Sequence, residues 1–178
     1  GDNGILKRMN RRYTAQAFSR LVEQIRESIP LAAIGVDTMA GFPGEDNRAF
    51  QHTLSIIQDL PVSYLHVFPY SPRKGTAAAR FSGQVDQRLT KERARKLRKL
   101  GQEKRESFYR SCVGEVFSVL TEGWVSQDKE QAKGLSDNYL PVTFPSARLS
   151  KNRLVPVRIE GLDENTVIGT VVETPDQD

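Results

Sequence analysis

A five-residue turn, Gly41-Phe42-Pro43-Gly44-Glu45, constrains the fold more than any other stretch of the sequence. It follows an apolar run at residues 33–40, whose length and β-branched content are typical of a buried strand. Two glycines around a proline permit a sharp turn with positive φ, so the main chain can come close to a ligand. This turn, the lip, therefore predicts the carboxyl end of a βα strand, where α/β folds bind ligands. The alternative is a tight connector without a ligand.

The segments around the lip predict a helix–strand–helix–strand order. Thr14 is typical of an N-cap, and the helix after it is expected to end at Pro30. A second strand is predicted at residues 63–70. Connectors this short require parallel strands with a right-handed crossover. Because two strands do not make a stable domain, we expect this part to be the end of a larger barrel or sheet, or to lean on another chain.

Cysteine content narrows the kinds of site that the chain can build. The sequence has one cysteine, Cys112, so neither a disulfide framework nor a cysteine-built metal site is possible within it. A reducing, cytoplasmic setting is expected. No apolar stretch approaches the roughly 18–20 residues that span a bilayer, so no membrane association is expected. The start at Gly1, without methionine, suggests a truncated chain.

Positive charge is concentrated in one predicted helix. Residues 88–110 contain ten lysines and arginines but three glutamates, whereas the whole chain has a net charge of +4. Thr90 is expected to cap this helix, predicted at residues 90–110. A basic stripe on one element is an electrostatic signature of a polyanion partner. A solvated helix face is the commoner meaning of such a run and stays open.

After Val113 the sequence changes to short β-rich segments separated by glycines. About five strands are expected in some 65 residues without a helix. This pattern predicts a small closed β-barrel of the kind that binds oligonucleotides.

Three segments, residues 5–14, 41–45 and 66–78, together resemble the carboxyl-terminal half of the radical S-adenosylmethionine tRNA methylthiotransferases. The last 65 or so residues resemble the RNA-binding TRAM barrel that ends those enzymes. The resemblance implies an α/β fold: the C-terminal part of a radical SAM (β/α) partial barrel at residues 1–111, followed by an all-β, OB-like TRAM barrel at 112–178. Residues 64–71 and 134–142 look most like the branch that methylthiolates threonylcarbamoyladenosine.

The activity implied by this resemblance is addition of a methylthio group to C2 of a hypermodified adenosine next to the anticodon of tRNA. The implied cofactors of the full enzyme are S-adenosylmethionine and two 4Fe–4S clusters. Their cysteine ligands belong to the missing amino-terminal part, so the chain alone is expected to be inactive, and no catalytic or metal-binding residue is assigned. The alternatives are the isopentenyladenosine and ribosomal-protein branches, or a non-catalytic RNA-binding module.

The resemblance also implies the site residues. Arg11 matches an arginine that meets the cofactor carboxylate or the edge of the active site, Gly41 allows backbone approach, and Phe68 and Tyr70 border the adenine; core packing is an equal alternative for the two aromatics. From charge and residue type, the candidates for contacting tRNA are Arg95, Lys96, Lys99, Lys133, Asn138, Tyr139 and Arg158. For Tyr139, structural packing is an equal alternative. An edge-paired or swapped dimer of the truncated chain is a further expectation.

Overall fold

The computed structural model describes residues 1–125, 127–145, 150–163 and 166–172. The chain divides into two compact units, Gly1–Arg105 and Glu106–Asp178, and the division falls within one long helix. A mixed α/β fold that includes a closed five-stranded barrel is confirmed.

In the first unit, helices alternate with two strands. The elements are α1 Asn3–Arg8, α2 Ala15–Ser28, β1 Gly35–Ala40, α3 Asn47–Asp59, β2 Tyr64–Pro69, a 3-10 turn at Ala78–Arg80, and the larger part of α4, Gln87–Ser111. Side-chain oxygens of Asp2, Thr14 and Asp46 accept hydrogen bonds from backbone N–H groups at the starts of α1, α2 and α3. Such caps satisfy donors that have no partner within the helix. The predicted cap at Thr14 is confirmed.

The two strands of the first unit pair in parallel, as predicted. Their register runs from Gly35 opposite Tyr64 to Ala40 opposite Pro69. Both carboxyl ends therefore lie at one edge of this two-stranded sheet, and the lip begins there. The Tyr70 N–H donates to the Ala40 carbonyl at 2.8 Å, which extends the pairing past the end of β2.

The core of the first unit is formed by side chains from all its main elements. The buried members are Val22, Ile34, Ala40, Phe50, Ile57, Leu60, Val62, Leu65, Ala94 and Leu97. Gly101 of α4 belongs to the same packing, because a Cβ added there would lie 3.1 Å from Leu65 Cβ. A glycine inside a helix costs about 1 kcal/mol relative to alanine, and this close approach explains why one is present.

The start of the basic helix was predicted incorrectly. α4 begins at Gln87, and its first N–H groups are capped by Asp86, whose Oδ1 accepts from Arg88 N at 2.8 Å and Leu89 N at 3.3 Å. Thr90 lies one turn inside the helix and is 1% exposed. Both residues are good N-caps in isolation; the one that becomes buried beside the lip is not available to cap.

The second unit contains the end of α4 and the five barrel strands. These are β3 Val116–Trp124, β4 Gln131–Ser136, β5 Pro141–Pro145, β6 Leu154–Asp163 and β7 Thr166–Val171. The strand order is β3-β4-β5-β7-β6, closed by antiparallel pairing of β3 with β6, and the β5–β7 pair is parallel. Alternating inward side chains fill the interior, including Val119, Leu140, Val142, Phe144 and Val157, each at most 1% exposed.

Cys112 lies between α4 and β3 and is fully buried. Its Sγ accepts a hydrogen bond from Asn138 Nδ2 at 3.8 Å. His66 is exposed on β2, where its ring lies edge-on to Tyr64.

Candidate functional site

A cavity of about 200 Å³ lies in the first unit, between α1, α2, α3 and the carboxyl half of the sheet. Its wall is largely apolar, with contributions from Leu6, Phe18 and Val36. Thr38 and Glu45 are among its polar lining residues. Thr38 Oγ1 is buried and has no hydrogen-bond partner among the described residues. An apolar cavity with a few convergent polar groups is the usual form of a small-molecule site.

Two of the four predicted cofactor residues line this cavity. Arg11 follows α1, and Phe68 stands near the end of β2. Phe68 is 50% exposed, so it is not a core residue despite its place in a strand. Of the neighbouring arginines, Arg8 contacts the lip instead: its Nε donates to Pro43 O at 3.1 Å and its guanidinium lies over the ring of Phe81.

The other two predicted cofactor residues, Gly41 and Tyr70, lie outside the cavity wall. Gly41 has a φ of 79°, and the position that its Cβ would take is occupied by the Thr90 side chain. Tyr70 is 8% exposed and packs edge-on against Phe42, with 5.4 Å between ring centroids. Among the described residues, no group accepts or donates a hydrogen bond at the Tyr70 hydroxyl.

A buried ion pair fixes the lip. Arg93 of α4 donates to Glu45 Oε1 at 2.9 Å and to the Glu45 carbonyl at 2.8 Å, and both side chains are almost fully buried. The same carboxylate accepts from Gly41 N–H at 2.9 Å. Burial raises the pKa of Glu45, against the lowering effect of the Gly41 N–H and the Arg93 charge. The pair therefore connects both ends of the lip to α4.

Sequence reasoning grouped Arg93 with the solvated basic stripe and missed this role. The signal was present, because Arg93 shares one helical face with Leu97 and Leu100 at i, i+4 and i+7. Arg95, Lys96 and Lys99, which were predicted to meet RNA, are on the exposed faces of α4. Lys96 and Lys99 contact Glu92 and Glu103 at 2.8 and 3.9 Å, as i,i+4 pairs.

The predicted RNA residues of the barrel come from different elements of the second unit. Tyr139 is 68% exposed with a φ of 62°, while Asn138 beside it is half-buried and accepts a hydrogen bond from Ser136 Oγ at 2.6 Å. Arg158 on β6 is exposed, and its guanidinium donates to Gly114 O at 3.1 Å. Lys133 on β4 lines a separate depression with Trp124.

Trp124, Lys129 and Lys151 were missed. The two ammonium groups lie 4.7 Å (Lys129) and 5.2 Å (Lys151) from the centroid of the Trp124 ring. The three residues are separated by up to 27 positions in the sequence, so no local pattern indicates the cluster. The one signal was the presence of a single tryptophan within a β-rich segment.

Metal-binding groups and membrane-spanning helices were also sought among the described residues. Within the described ranges, no three or more His, Cys, Asp or Glu side chains are grouped so that they could hold a metal ion. None of the helices formed by these residues is long and apolar enough to cross a membrane.

The known proteins that are similar to this chain indicate one enzyme family. No family model matches the sequence. Curated relatives do: a tRNA-2-methylthio-N(6)-dimethylallyladenosine synthase from Symbiobacterium thermophilum is 35% identical over 175 residues, which are 98% of this chain and 37% of that protein. The threonylcarbamoyladenosine tRNA methylthiotransferase of Bacillus subtilis is 34% identical over 161 residues, 89% of this chain and 36% of the relative. The chain is homologous to a part of the tRNA methylthiotransferases.

The match to methylthiotransferases extends over both structural units, since it covers up to 98% of the chain. The family resemblance inferred from the sequence is thereby confirmed. The chain spans about a third of the length of these relatives; for the threonylcarbamoyladenosine enzyme of Aquifex aeolicus the share is 33%, at 36% identity. Relatives named for two different nucleosides match at similar identity, so the comparison with methylthiotransferases does not separate the two branches.

Proposed function

We propose that this chain is part of a cytoplasmic tRNA methylthiotransferase that modifies C2 of a hypermodified adenosine next to the anticodon, most specifically threonylcarbamoyladenosine. The observation that carries the proposal is homology to enzymes named for this chemistry over both units of the chain. The chain would supply part of the S-adenosylmethionine site and the tRNA-binding surface.

The fold is compatible with this role. Parallel β1 and β2, connected by the single helix α3, are what the last strands of a radical SAM partial barrel would provide. The closed five-stranded order of the second unit suits a TRAM-like barrel. Residues 1–111 and 112–178 remain our assignment of these two domains.

The residues that line the cavity of the first unit would suit part of S-adenosylmethionine. Thr38 Oγ1 is a buried polar atom without a partner among the described residues, and Thr38 lines the same cavity as Arg11 and Phe68. Arg11 would bind the cofactor carboxylate, for which a planar guanidinium is well suited, and Phe68 would border the adenine. Gly41 and Tyr70 would contribute through the lip. When bound, S-adenosylmethionine supplies the radical and the methyl group, while the protein residues position it and exclude water.

The two 4Fe–4S clusters do not fit this chain. Cluster iron is ligated by several cysteine thiolates, whereas this sequence has only Cys112, which is fully buried. The 178-residue chain is therefore expected to take up no stoichiometric iron and to have no activity on its own. Anaerobic reconstitution followed by iron analysis measures this, and stoichiometric iron on the chain would contradict it.

The catalytic part of the proposal is tested in the full-length protein. A strain that lacks the gene is expected to lose the 2-methylthio mark from tRNA, as measured by mass spectrometry of its nucleosides. Complementation with wild type restores the mark, and Arg11→Ala, with an intact fold, fails to restore it. A deletion strain with unchanged tRNA nucleosides would overturn the proposed function.

The tRNA surface is tested by binding. Reversal of Arg95, Lys96 and Lys99 to glutamate is expected to weaken tRNA binding and to flatten its salt dependence by roughly 0.7–0.9 unit for each phosphate that is no longer neutralised. Tyr139→Ala should lower affinity without changing the slope, because stacking releases no counterions. The matched control reverses three exposed arginines elsewhere, Arg12, Arg20 and Arg48. Filter binding across a salt series separates this surface from a merely solvated helix, for which the slope stays unchanged.

A further inference from the structure

The depression around Trp124 combines an aromatic ring with three lysines. Lys129, Lys133 and Lys151 are exposed and line it together with the half-buried Trp124. Glu122 is the one carboxylate among its lining residues. The local charge is therefore positive, which favours an anionic ligand.

A β-bulge shapes this cluster. The pairing of β3 with β4 shifts register between Thr121 and Gly123, so that Gly123 stands opposite Lys133 and Trp124 opposite Ala132. Bulges turn a strand locally and re-aim its side chains. Here the change in direction occurs directly before the tryptophan.

The side chains of Lys133 and Lys151 both pass close to Gly123. A Cβ built there would lie 3.5 Å from Lys151 Cε, 3.7 Å from Lys151 Nζ and 3.9 Å from Lys133 Cε. The two lysines thus reach the same few ångströms of surface from different parts of the chain. Three lysines therefore line one depression, two of them beside the indole, and this positive charge favours an anion there.

The backbone of Lys129 has a conformation that costs free energy. Its φ is 60°, a left-handed conformation that is uncommon for a residue other than glycine, asparagine or aspartate. The ammonium of the same residue lies 4.7 Å from the Trp124 ring centroid. Strained backbone that persists beside a charged cluster is typical of binding sites.

We propose that Trp124, Lys129, Lys133 and Lys151, the Trp124 subsite, bind one nucleotide of single-stranded RNA, with the base stacked on the indole and the flanking phosphates on the lysines. The inference rests on the proposed function in that the natural RNA would be tRNA. Stacking on an aromatic side chain and neutralisation of the backbone by cations are the two components of single-strand binding. When RNA binds, the base displaces a lysine ammonium group from the face of the Trp124 indole. This ammonium group then pairs with a phosphate of the RNA.

The chemistry favours RNA over other polyanions. An acidic peptide offers charge but no flat ring to stack, so it leaves the indole unused. A lipid surface would need apolar side chains that insert, and Val125, 59% exposed, is the one large exposed aliphatic residue among those that line the depression.

Trp124 is the sole tryptophan of the sequence, so its fluorescence reports directly on this subsite. Titration of the 178-residue chain with a short oligouridylate is expected to quench this fluorescence to saturation. Polyglutamate of matched charge should leave it nearly unchanged. Absence of quenching by the RNA, or equal quenching by polyglutamate, would overturn the subsite.

Two sets of variants separate the contribution of base stacking to RNA binding from the contribution of phosphate neutralisation. Trp124→Leu is expected to weaken binding of a labelled oligouridylate about ten-fold or more with an unchanged salt slope. The pair Lys129→Ala and Lys151→Ala should weaken binding and reduce the slope by about 0.7 unit for each phosphate left without its cation. The control pair, Arg20→Ala and Arg48→Ala, removes the same charge from the other unit and should leave both quantities unchanged. A slope that is identical in the lysine pair and in wild type would refute the proposal.

The lysine variants keep the inference testable even if Trp124→Leu does not fold, because both side chains are exposed. Failure here is distinct from failure of the proposed function. If the deletion strain loses the methylthio mark and tRNA still binds through α4, but oligouridylate does not quench Trp124, only the subsite is wrong.

Discussion

Arg93 and Glu45 form the most tightly enclosed charge pair among the described residues, with side chains 3% and 4% exposed. Removal of one partner leaves an uncompensated buried charge, which costs about 3–5 kcal/mol, whereas neutral replacement of both can cost much less. We therefore expect Arg93→Met to destabilise the chain strongly, and the double variant Arg93→Met, Glu45→Gln to recover part of the loss. Urea unfolding measures both, and a double variant less stable than the single one would contradict this account.

Asp2 gives the chain an acid-sensitive contact. Partial burial raises the pKa of this carboxyl, but hydrogen bonds from Ile5 N–H, His52 and Gly4 N–H outweigh it and hold the pKa below 3.8. A lowered pKa contributes stability above the unfolded value of 3.8, and this contribution disappears as pH falls through the folded value.

The expected result is that Asp2→Asn, which can still cap α1, is less stable than wild type well above the unfolded pKa of 3.8 and nearly equal to it at the lowest pH where the chain remains folded. Unfolding free energies measured at several pH values test the sign. A stability difference that grows as the pH falls would show that the carboxylate is not stabilising.

Side-chain roles that depend on near neighbours could be predicted, and those that depend on distant ones could not. Thr14 was identified as a cap because its partner, Ala17 N, is three residues away. Arg11 was assigned by resemblance, and it does line the cavity. Arg93 contacts a residue 48 positions earlier, and a run of lysines and arginines conceals which member turns inward.

The contact between the lip and α4 can be tested by comparing alanine substitutions at two glycines. Gly41 has a φ of 79° and its Cβ position is filled by Thr90, whereas Gly75 has a φ of 88° with nothing within 4 Å. Alanine at either position adopts a left-handed backbone, which costs about 1 kcal/mol or more. Only Gly41→Ala must also displace the Thr90 side chain.

We therefore expect Gly41→Ala to lose about 2 kcal/mol more stability than Gly75→Ala. Thr90→Ala in the Gly41→Ala background should restore part of that difference. Chemical denaturation of the wild type and the three variants tests this, and equal losses at the two glycines would show that the contact with Thr90 is unimportant.

Helices and strands could be predicted wherever the hydrophobic periodicity and the capping residues indicated the same element. The parallel pairing of β1 and β2 and the five barrel strands were predicted from short connectors and alternating side chains. The start of α4 was not, because Asp86 and Thr90 are both competent caps and only tertiary burial decides between them.

The whole chain combines two units with separate cores and different chemistry. The first contains an apolar cavity lined by Thr38, whose buried hydroxyl has no partner among the described residues, and exposed cations and aromatic rings are spread over the second. The barrel strands could be predicted, since each of them shows a local pattern of alternating side chains. The lysine–tryptophan cluster could not, because its members meet only after β3, β4 and the segment before β6 have paired.

The rate at which Cys112 reacts with a thiol reagent can report how often the second unit opens. The only thiol of the chain is 0% exposed, so a thiol reagent such as 5,5′-dithiobis(2-nitrobenzoate) can reach it only during transient opening events. Leu140→Ala, which removes a fully buried side chain at a cost of about 2–5 kcal/mol, should accelerate labelling at least about thirty-fold. Leu154→Ala, at a position that is 70% exposed, should leave the rate almost unchanged. Absorbance of the released thionitrobenzoate records the time course, and immediate labelling of the wild type would contradict the burial of Cys112. Each opening that exposes Cys112 gives the thiol a chance to react, so the labelling rate measures the frequency of these openings.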